Sequence, residues 1–331
     1  MKTAVQTAYG APSVVVIRDT PKPVPGDNEV LVKVMATTVT SGDSRMRAFR
    51  IPAAFWLPAR LFMGITRPRK AVLGAEFAGI VETVGSSVTR FKAGDRVFGL
   101  SVYGCHAEYK VVREDAGIAT MPDSLGFDEA AAIPFGALTA QFFLRLADIR
   151  PGQHVLVNGA SGAVGAFAVQ LARHYGARVT GVCSSDNAEL VRELGAEAVI
   201  DYRTTDFSRS GQLYDVILDT VGNITLGRFR RATTANGILL AVDGGGTAFV
   251  RALWTKFFGT RKVLATVSAD RQADLEAVRD LVAAGALRPT IDSRVAFADI
   301  AQAHARADSR RKRGAVVVMV AEPHQALLAA S

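Results

Sequence analysis

The stretch that decides the fold runs Val155-Leu156-Val157-Asn158-Gly159-Ala160-Ser161-Gly162-Ala163-Val164-Gly165. Its first residues read as a buried strand, and the glycine-rich turn behind them opens a helix. Glycines at 159, 162 and 165 allow a tight turn, a close backbone approach to phosphate, and close packing of helix on strand. Amides at the helix start point at an anion. Downstream, Val164, Phe167, Ala168, Leu171 and Tyr175 recur at helical spacing, Gly176 supplies a stop, and Val179 to Val182 reads as the next strand. This strand–turn–helix–strand order predicts a dinucleotide site, with Asn158, Gly159, Ser161, Gly162, Ala163, Val164 and Gly165 around the pyrophosphate.

The second strand ends in Cys183-Ser184-Ser185-Asp186-Asn187. An NAD-selective site places a carboxylate at that tip to hold the ribose hydroxyls, and here Asp186 lies past it. Ser184 and Asn187 leave room for a 2′-phosphate, which Tyr202 and Arg203, just after the strand Ala198 to Ile200, can face as donor and counter-charge. NADPH is therefore expected over NADH. The alternative is that Ser184, Ser185 and Asn187 cap the helix carrying Leu190, Val191 and Leu194. Tyr214 to Asp219 and Gly237 to Val242 are two further apolar runs, so the alternation continues as a doubly wound parallel sheet requires.

The chain has 331 residues, 49% of them hydrophobic, enough to bury a large core in two domains. Phe55 to Met63 is apolar but interrupted by Pro58 and Arg60, so neither a membrane span nor a membrane partner is expected. The start, Met1-Lys2-Thr3-Ala4, lacks a secretory core, and a cytoplasmic protein is expected. With only Cys105 and Cys183, in different predicted domains, neither a disulfide nor a four-thiolate zinc site is expected. The net charge of +8 is partly local, in Arg67-Pro68-Arg69-Lys70 and Arg310-Arg311-Lys312-Arg313. Neither cluster is interleaved with aromatics or set in a reading helix, so solvated basic faces are expected rather than a nucleic-acid partner. The later cluster would also attract an anionic dinucleotide.

Texture divides the chain. Val14 to Ile17, Glu29 to Met35, Gly79 to Val84, Arg96 to Gly99 and Ala107 to Val112 are short strands between Pro, Gly and Asp turns, the mark of an antiparallel β-domain. Helical periodicity takes over from Phe127. After about residue 265 an amphipathic helix, Ala273 to Ala284, precedes a strand, Gly314 to Val320, that suits the first domain's sheet. The predicted division is a β-rich domain over 1–125, the dinucleotide domain over 126–265, and a return to the first over 266–331. The tail from Ala321 is expected to fray.

Several motifs in order resemble the medium-chain dehydrogenase/reductase superfamily, in its zinc-free quinone-oxidoreductase branch. They are Tyr9-Gly10, Gly74-Ala75-Glu76-Phe77-Ala78-Gly79, Phe91 to Val97, Gly104 with Ala107-Glu108-Tyr109, Gly136 with Leu138-Thr139-Ala140, and Gly159 to Gly165. Leu194-Gly195-Ala196, Asp201-Tyr202, Asp219-Thr220-Val221-Gly222 and Arg313-Gly314 complete the set. The resemblance implies an α/β fold: a Rossmann doubly wound parallel sheet plus a GroES-like catalytic domain built from both chain ends, with NADP(H) in the cleft between them. It implies Thr139 at the nicotinamide carboxamide, Val242 to Gly245 (with Gly244) beside the ring, Arg313 on the cofactor, and Thr40, Asp43 and Arg45 lining the catalytic cleft. For Thr40 to Asp43 a plain helix cap is the alternative.

Zinc-dependent relatives place a cysteine and a histidine where this chain has Thr40 or Ser41 and Ala75, and the five histidines show no paired ligand spacing. Cys105-His106 tempts a nucleophile or metal reading, but no positioned base is evident. Without zinc, the acceptor must take a hydride unaided, as a quinone or an α,β-unsaturated carbonyl does. The tyrosine that some relatives carry two residues after the aspartate is Arg45 here, which leaves the proton donor unassigned. Ile51 to Thr66 either walls an apolar pocket or packs in the core or against a subunit, and a homodimer is expected. Two alternatives stay open: a zinc-free NADP-dependent alcohol or aldehyde oxidoreductase in which Thr40 relays the proton, and a non-catalytic NADPH-binding or RNA-binding protein.

Overall fold

The computed structural model describes residues 1–52, 55–243, 245–266 and 272–321. The chain divides into two compact units, one of Met1–Phe135, Arg271–Ala284 and Pro289–Ser331, the other of Gly136–Asp270 with Gly285–Arg288.

In the second unit, six parallel strands alternate with helices: β8 (His154–Asn158), α5 (Ala163–His174), β9 (Arg178–Cys183), α6 (Ala188–Glu193), β10 (Ala198–Asp201), β11 (Tyr214–Asp219), α7 (Leu226–Ala232), β12 (Thr233–Ala241), α8 (Gly245–Phe257) and β13 (Lys262–Leu264). The sheet order is β10-β9-β8-β11-β12-β13, so the strand order reverses between β8 and β11. That reversal opens a crevice at the carboxyl ends of the strands, where Rossmann sheets take their ligand. The strands read as continuous apolar runs because helices cover both faces. Leu156, Val182, Ile217, Phe229 and Leu239 form their common core.

The first unit is built on β3 (Glu29–Val39), whose eleven residues pair with β4 (Glu76–Val84) and β6 (Tyr109–Arg113) and, from the far end of the chain, β15 (Ala315–Met319). The sheet runs β14-β15-β3-β4-β5-β7, where β5 is Arg96–Leu100, β7 Ile118–Thr120 and β14 Ile291–Ala296. A ribbon of β1 (Lys2–Gln6) and β2 (Val15–Asp19) stands beside it. The expectation of a purely antiparallel domain is corrected at one edge: β14 and β15 are parallel. A parallel pair needs a crossover, and α10 (Ile300–Asp308) supplies it.

The remaining helices are α1 (Ser41–Ala48), α2 (Trp56–Met63), α3 (Phe127–Ala131), α4 (Pro134–Leu146) and α9 (Gln272–Ala283). α3 belongs to the first unit, which therefore extends ten residues past the expected break at 125. Its Asp128 pairs with Arg294 at 2.7 Å. The segment 285–288 lies with the second unit, where Arg288 and Gln170 exchange two hydrogen bonds, of 2.9 and 3.1 Å. The tail beyond Ala321, expected to fray, lies outside the described residues, as does Gly244.

α10 buries a polar element in the first unit. His304 is fully enclosed with neither ring nitrogen partnered, its ring 5.5 Å from that of His106, whose Nε2 lies 2.9 Å from the Thr38 carbonyl. Burial holds His304 down at about 2 and lowers His106 as well. An unfolded histidine takes a proton near pH 6.5, so below that the unfolded chain binds more protons, and stability falls as pH falls. Denaturant midpoints between pH 6.5 and 5 are expected to show this limb. His304→Leu should reduce its slope by up to one proton, about 1.4 kcal/mol per pH unit; an unchanged slope would refute the assignment.

Candidate functional site

The turn after β8 is fixed from both sides. Gly159 (φ +84°) and Ala160 both donate to the Val182 carbonyl at 3.0 Å, tying the turn to β9. A Cβ on Gly165 would stand 2.1 Å from the Gly159 carbonyl oxygen, so only glycine lets α5 begin this close to the turn. A Cβ on Gly136 would stand 2.6 Å from the Ala163 carbonyl, which brings α4 and its buried Thr139 against the same helix start. Gly162 is the N-cap of α5, with Ala163, Val164 and Gly165 in the first turn. Amides there have no intrahelical partner and form an anion site together with the helix dipole.

Asn158 is engaged within the sheet itself. Its amide donates to Asp219 Oδ1 at 2.8 Å and to Asn223 Oδ1 at 2.9 Å, and its carbonyl accepts from Thr220 Oγ1 at 2.8 Å. Asp219 also accepts from the amides of Val221, Gly222 and Ile224. Asn158 thus locks the tips of β8 and β11 together. Val242, beyond β12, donates its N–H to the Asp219 carbonyl at 3.0 Å and joins the same knot.

At the β9 tip, Asn187 Nδ2 donates to Ser161 Oγ at 3.1 Å and to Ser184 Oγ at 3.2 Å, so three predicted residues from the turn and the tip form one polar latch. Neither Ser184 nor Asn187 caps a helix with its side chain. Tyr202 and Arg203 follow β10 in the open, and the Arg203 guanidinium lies 3.2 Å from Asp186. The Tyr202 hydroxyl and the Asp186 carboxylate hold that guanidinium above its ordinary value. Asp201 is held below the usual carboxylate range by the N–H groups of Arg203 and Ser185.

In the first unit, Thr40 and Asp43 close a capping box at the start of α1. The Thr40 amide and hydroxyl donate to Asp43 Oδ2 at 2.8 and 2.6 Å, and Thr40 Oγ1 accepts from the Asp43 amide at 3.1 Å. Asp43 Oδ1 accepts from the Gly74 amide at 3.0 Å and so pins the helix to the strand entry at β4. Arg45 lies half-buried on the same helix. Arg313 belongs to this unit, its amide bonded to Asp292 at 2.7 Å. Glu76, at the head of β4, accepts from Thr38 Oγ1 and from the Phe135 amide.

Two family models match the chain, described as an alcohol dehydrogenase GroES-like domain over residues 26–144 and a zinc-binding dehydrogenase over residues 194–318. A quinone oxidoreductase of Pseudomonas aeruginosa is 33% identical, with 94% of this chain and 97% of that protein aligned. The chain belongs to the medium-chain dehydrogenase/reductase superfamily, in its quinone-oxidoreductase-like branch, and is an oxidoreductase. Solved relatives include the quinone oxidoreductase of Coxiella burnetii, with a TM-score of 0.86 and 27% identity over 97% of this chain and 99% of that one. The Escherichia coli quinone oxidoreductase, solved with NADPH, gives a TM-score of 0.81 and 25% identity over 97% and 100%.

Within this oxidoreductase the buried ionisable groups sort by environment. Burial pushes the Cys105 thiol up to about 12 and the Cys183 thiol to about 11, so neither is a thiolate at neutral pH. Burial raises Glu76 to about 7 against the pull of the Thr38 and Phe135 donors, and burial lowers Lys312 to about 8. In the sequence Glu76 enters only as part of a motif and Lys312 only as part of a basic cluster, neither with a role of its own. The signal was the position of Glu76 inside a family motif; its protonation near neutrality needed the fold. A carboxyl raised in the folded chain contributes stability present below its unfolded value, near 4.5, that is lost as pH rises through about 7. Glu76→Gln should therefore raise the thermal midpoint at pH 8 by the equivalent of roughly 1–3 kcal/mol and converge on the parent only below about pH 4.5. Equal midpoints at pH 8 would show that the carboxyl is ionised at no cost.

Proposed function

We propose that the chain is an NADPH-dependent oxidoreductase that reduces a quinone or an α,β-unsaturated carbonyl without a metal ion. The observation that carries this reading is the end of β9, where Ser184 takes the place of a strand-tip carboxylate and Tyr202 and Arg203 lie exposed on the neighbouring tip. A carboxylate there suits the ribose diol of NAD; a hydroxyl with a guanidinium beside it suits a 2′-phosphate. The names of the relatives, with NADPH bound in one of them, support the same assignment.

The residues fit the cofactor. A Cβ on Gly162 would meet only the Gly159 carbonyl, at 3.3 Å, so the outer side of the turn is open for a pyrophosphate above the amides of Ala163, Val164 and Gly165. Ser161, Ser184 and Asn187 would flank the adenosine ribose, while Thr139 and Val242 would serve the nicotinamide end. When bound, the reduced nicotinamide supplies a hydride.

Residue chemistry argues for an unaided acceptor. The places where zinc-dependent relatives carry ligands hold Thr40, Ser41 and Ala75, none of which offers a thiolate or an imidazole. An unactivated alcohol then has nothing to stabilise its alkoxide, whereas a quinone or an enone is already polarised. Proton relay by Thr40, which the alcohol-oxidoreductase alternative requires, would have to break the bond from its hydroxyl to Asp43. A guanidinium offers a planar fork of donors, which suits Arg45 to bind a substrate oxygen and not to deliver a proton.

Fluorescence titration should give tighter binding of NADPH than of NADH. Arg203→Ala should cost NADPH roughly tenfold, the worth of one charge-assisted bond, with little effect on NADH. Asp186→Asn, which removes an anion from beside the same guanidinium, should favour NADPH further. Equal affinities for the two cofactors in the parent would reject this reading of the tip. Turnover of a panel of quinones, enones and simple alcohols, followed by NADPH absorbance, should be confined to the first two classes and resist chelators. One tightly bound zinc per chain would overturn the metal-free part.

A further inference from the structure

α2 is inside out. Its half-buried face carries Ala59, Arg60 and Met63, and its outward face carries Leu57, Pro58, Leu61 and Phe62, at the i, i+4 spacing of one helical stripe. Leu57 is 61% exposed and Phe62 78%, with Phe55 and Ile65 exposed at either end. The inner face is firmly seated. The Arg60 guanidinium stacks 4.5 Å from the Tyr9 ring centroid and 4.0 Å from that of Phe49, and the Tyr9 hydroxyl donates to the Met63 carbonyl at 3.0 Å. The apolar stripe is therefore the face that α2 is anchored to present.

The chain turns back directly behind this helix, where the Arg69 amide donates to the Met63 carbonyl at 2.8 Å. Arg67, Arg69 and Lys70 follow α2 directly in that turn, all exposed, with Lys70 Nζ 5.4 Å from the Tyr103 ring centroid, and among the described residues no carboxylate pairs with any of them. From Arg50 to Lys70 the sequence holds five basic residues and neither Asp nor Glu.

We propose that α2 and the Arg67–Lys70 turn form a docking face for an anionic lipid surface, with Leu57, Leu61, Phe62 and Ile65 in the interfacial layer and the three cations on the headgroups. Shallow apolar insertion combined with basic residues at headgroup level is how a protein binds a bilayer without crossing it. The absence of a spanning run bears on spanning alone, and no helix among the described residues is long and apolar enough to cross a membrane. A second copy of the chain is a poorer occupant, because this segment offers no carboxylate to meet its own cations.

The test is flotation of the full chain with phosphatidylcholine vesicles, with and without phosphatidylserine. The parent should float only with the phosphatidylserine vesicles, and less as salt rises. Arg67→Gln with Arg69→Gln should weaken partition roughly 25-fold, and Leu61→Ser with Phe62→Ser by on the order of a hundredfold. These side chains are exposed, so thermal midpoint and NADPH affinity should match the parent. A parent that fails to float overturns the proposal. So does flotation indifferent to the Leu61/Phe62 pair, which would be the general attraction of a basic protein. Lipid-independent self-association abolished by that same pair would assign the face to a second copy and overturn it equally.

Discussion

The second unit depends on one approach of backbone to backbone: the Gly159 carbonyl sits where a Cβ on residue 165 would have to be. Because only hydrogen stands there, α5 can start against the turn and not a turn further on. Its first amides then face the crevice where the strand order reverses. The Asn158 and Asp219 side chains keep the two strand tips at that reversal from separating, with amides of the following turn gathered on the same carboxylate. A buried carboxylate is costly unless it is satisfied, and several donors on Asp219 convert that cost into fixed geometry.

Asp43 does the same work in the first unit with a different fold. It is fully buried, and its acceptors are met by Thr40 and by the Gly74 amide, so the start of α1 and the entry to β4 are set by one side chain. The mutual repulsion of Asp43 and Glu76 adds to burial in keeping the Glu76 carboxyl protonated toward neutrality, while Lys312 opposes it. In this one low-dielectric region the donors on Asp43 fix the start of α1, while desolvation sets the state of Glu76.

What the sequence made legible was local. The glycine turn, the helix after it and most strands follow from spacing within a dozen residues, and β8 to β11 lie close to where periodicity puts them. What it did not make legible was partnership across long separations. The amide of Asn158 is spent on residues 61 and 65 positions away, a use that nothing in the turn motif announces. The parallel pairing of β14 with β15 depends on α10 acting as a crossover, and its short runs alone fit either direction. Tyr202 and Arg203 were legible as a pair beyond β10, but the attachment of Asp186 to Arg203 was not, since in sequence Asp186 lies merely past a strand tip.

That attachment sharpens the argument about the cofactor. Arg203 and Asp186 are respectively 52% and 70% exposed, and an ion pair so open to water is worth little. A buried pair would have held the guanidinium against any ligand, whereas an exposed one holds it loosely in place at the rim of the β9 tip. A phosphate monoester carries more negative charge than a carboxylate and more acceptor oxygens, so it can draw the guanidinium away at small cost. A ribose diol offers no such charge and leaves the ion pair as it is. The proposed discrimination between the two cofactors would then rest on a weak native contact that only one of them has reason to break.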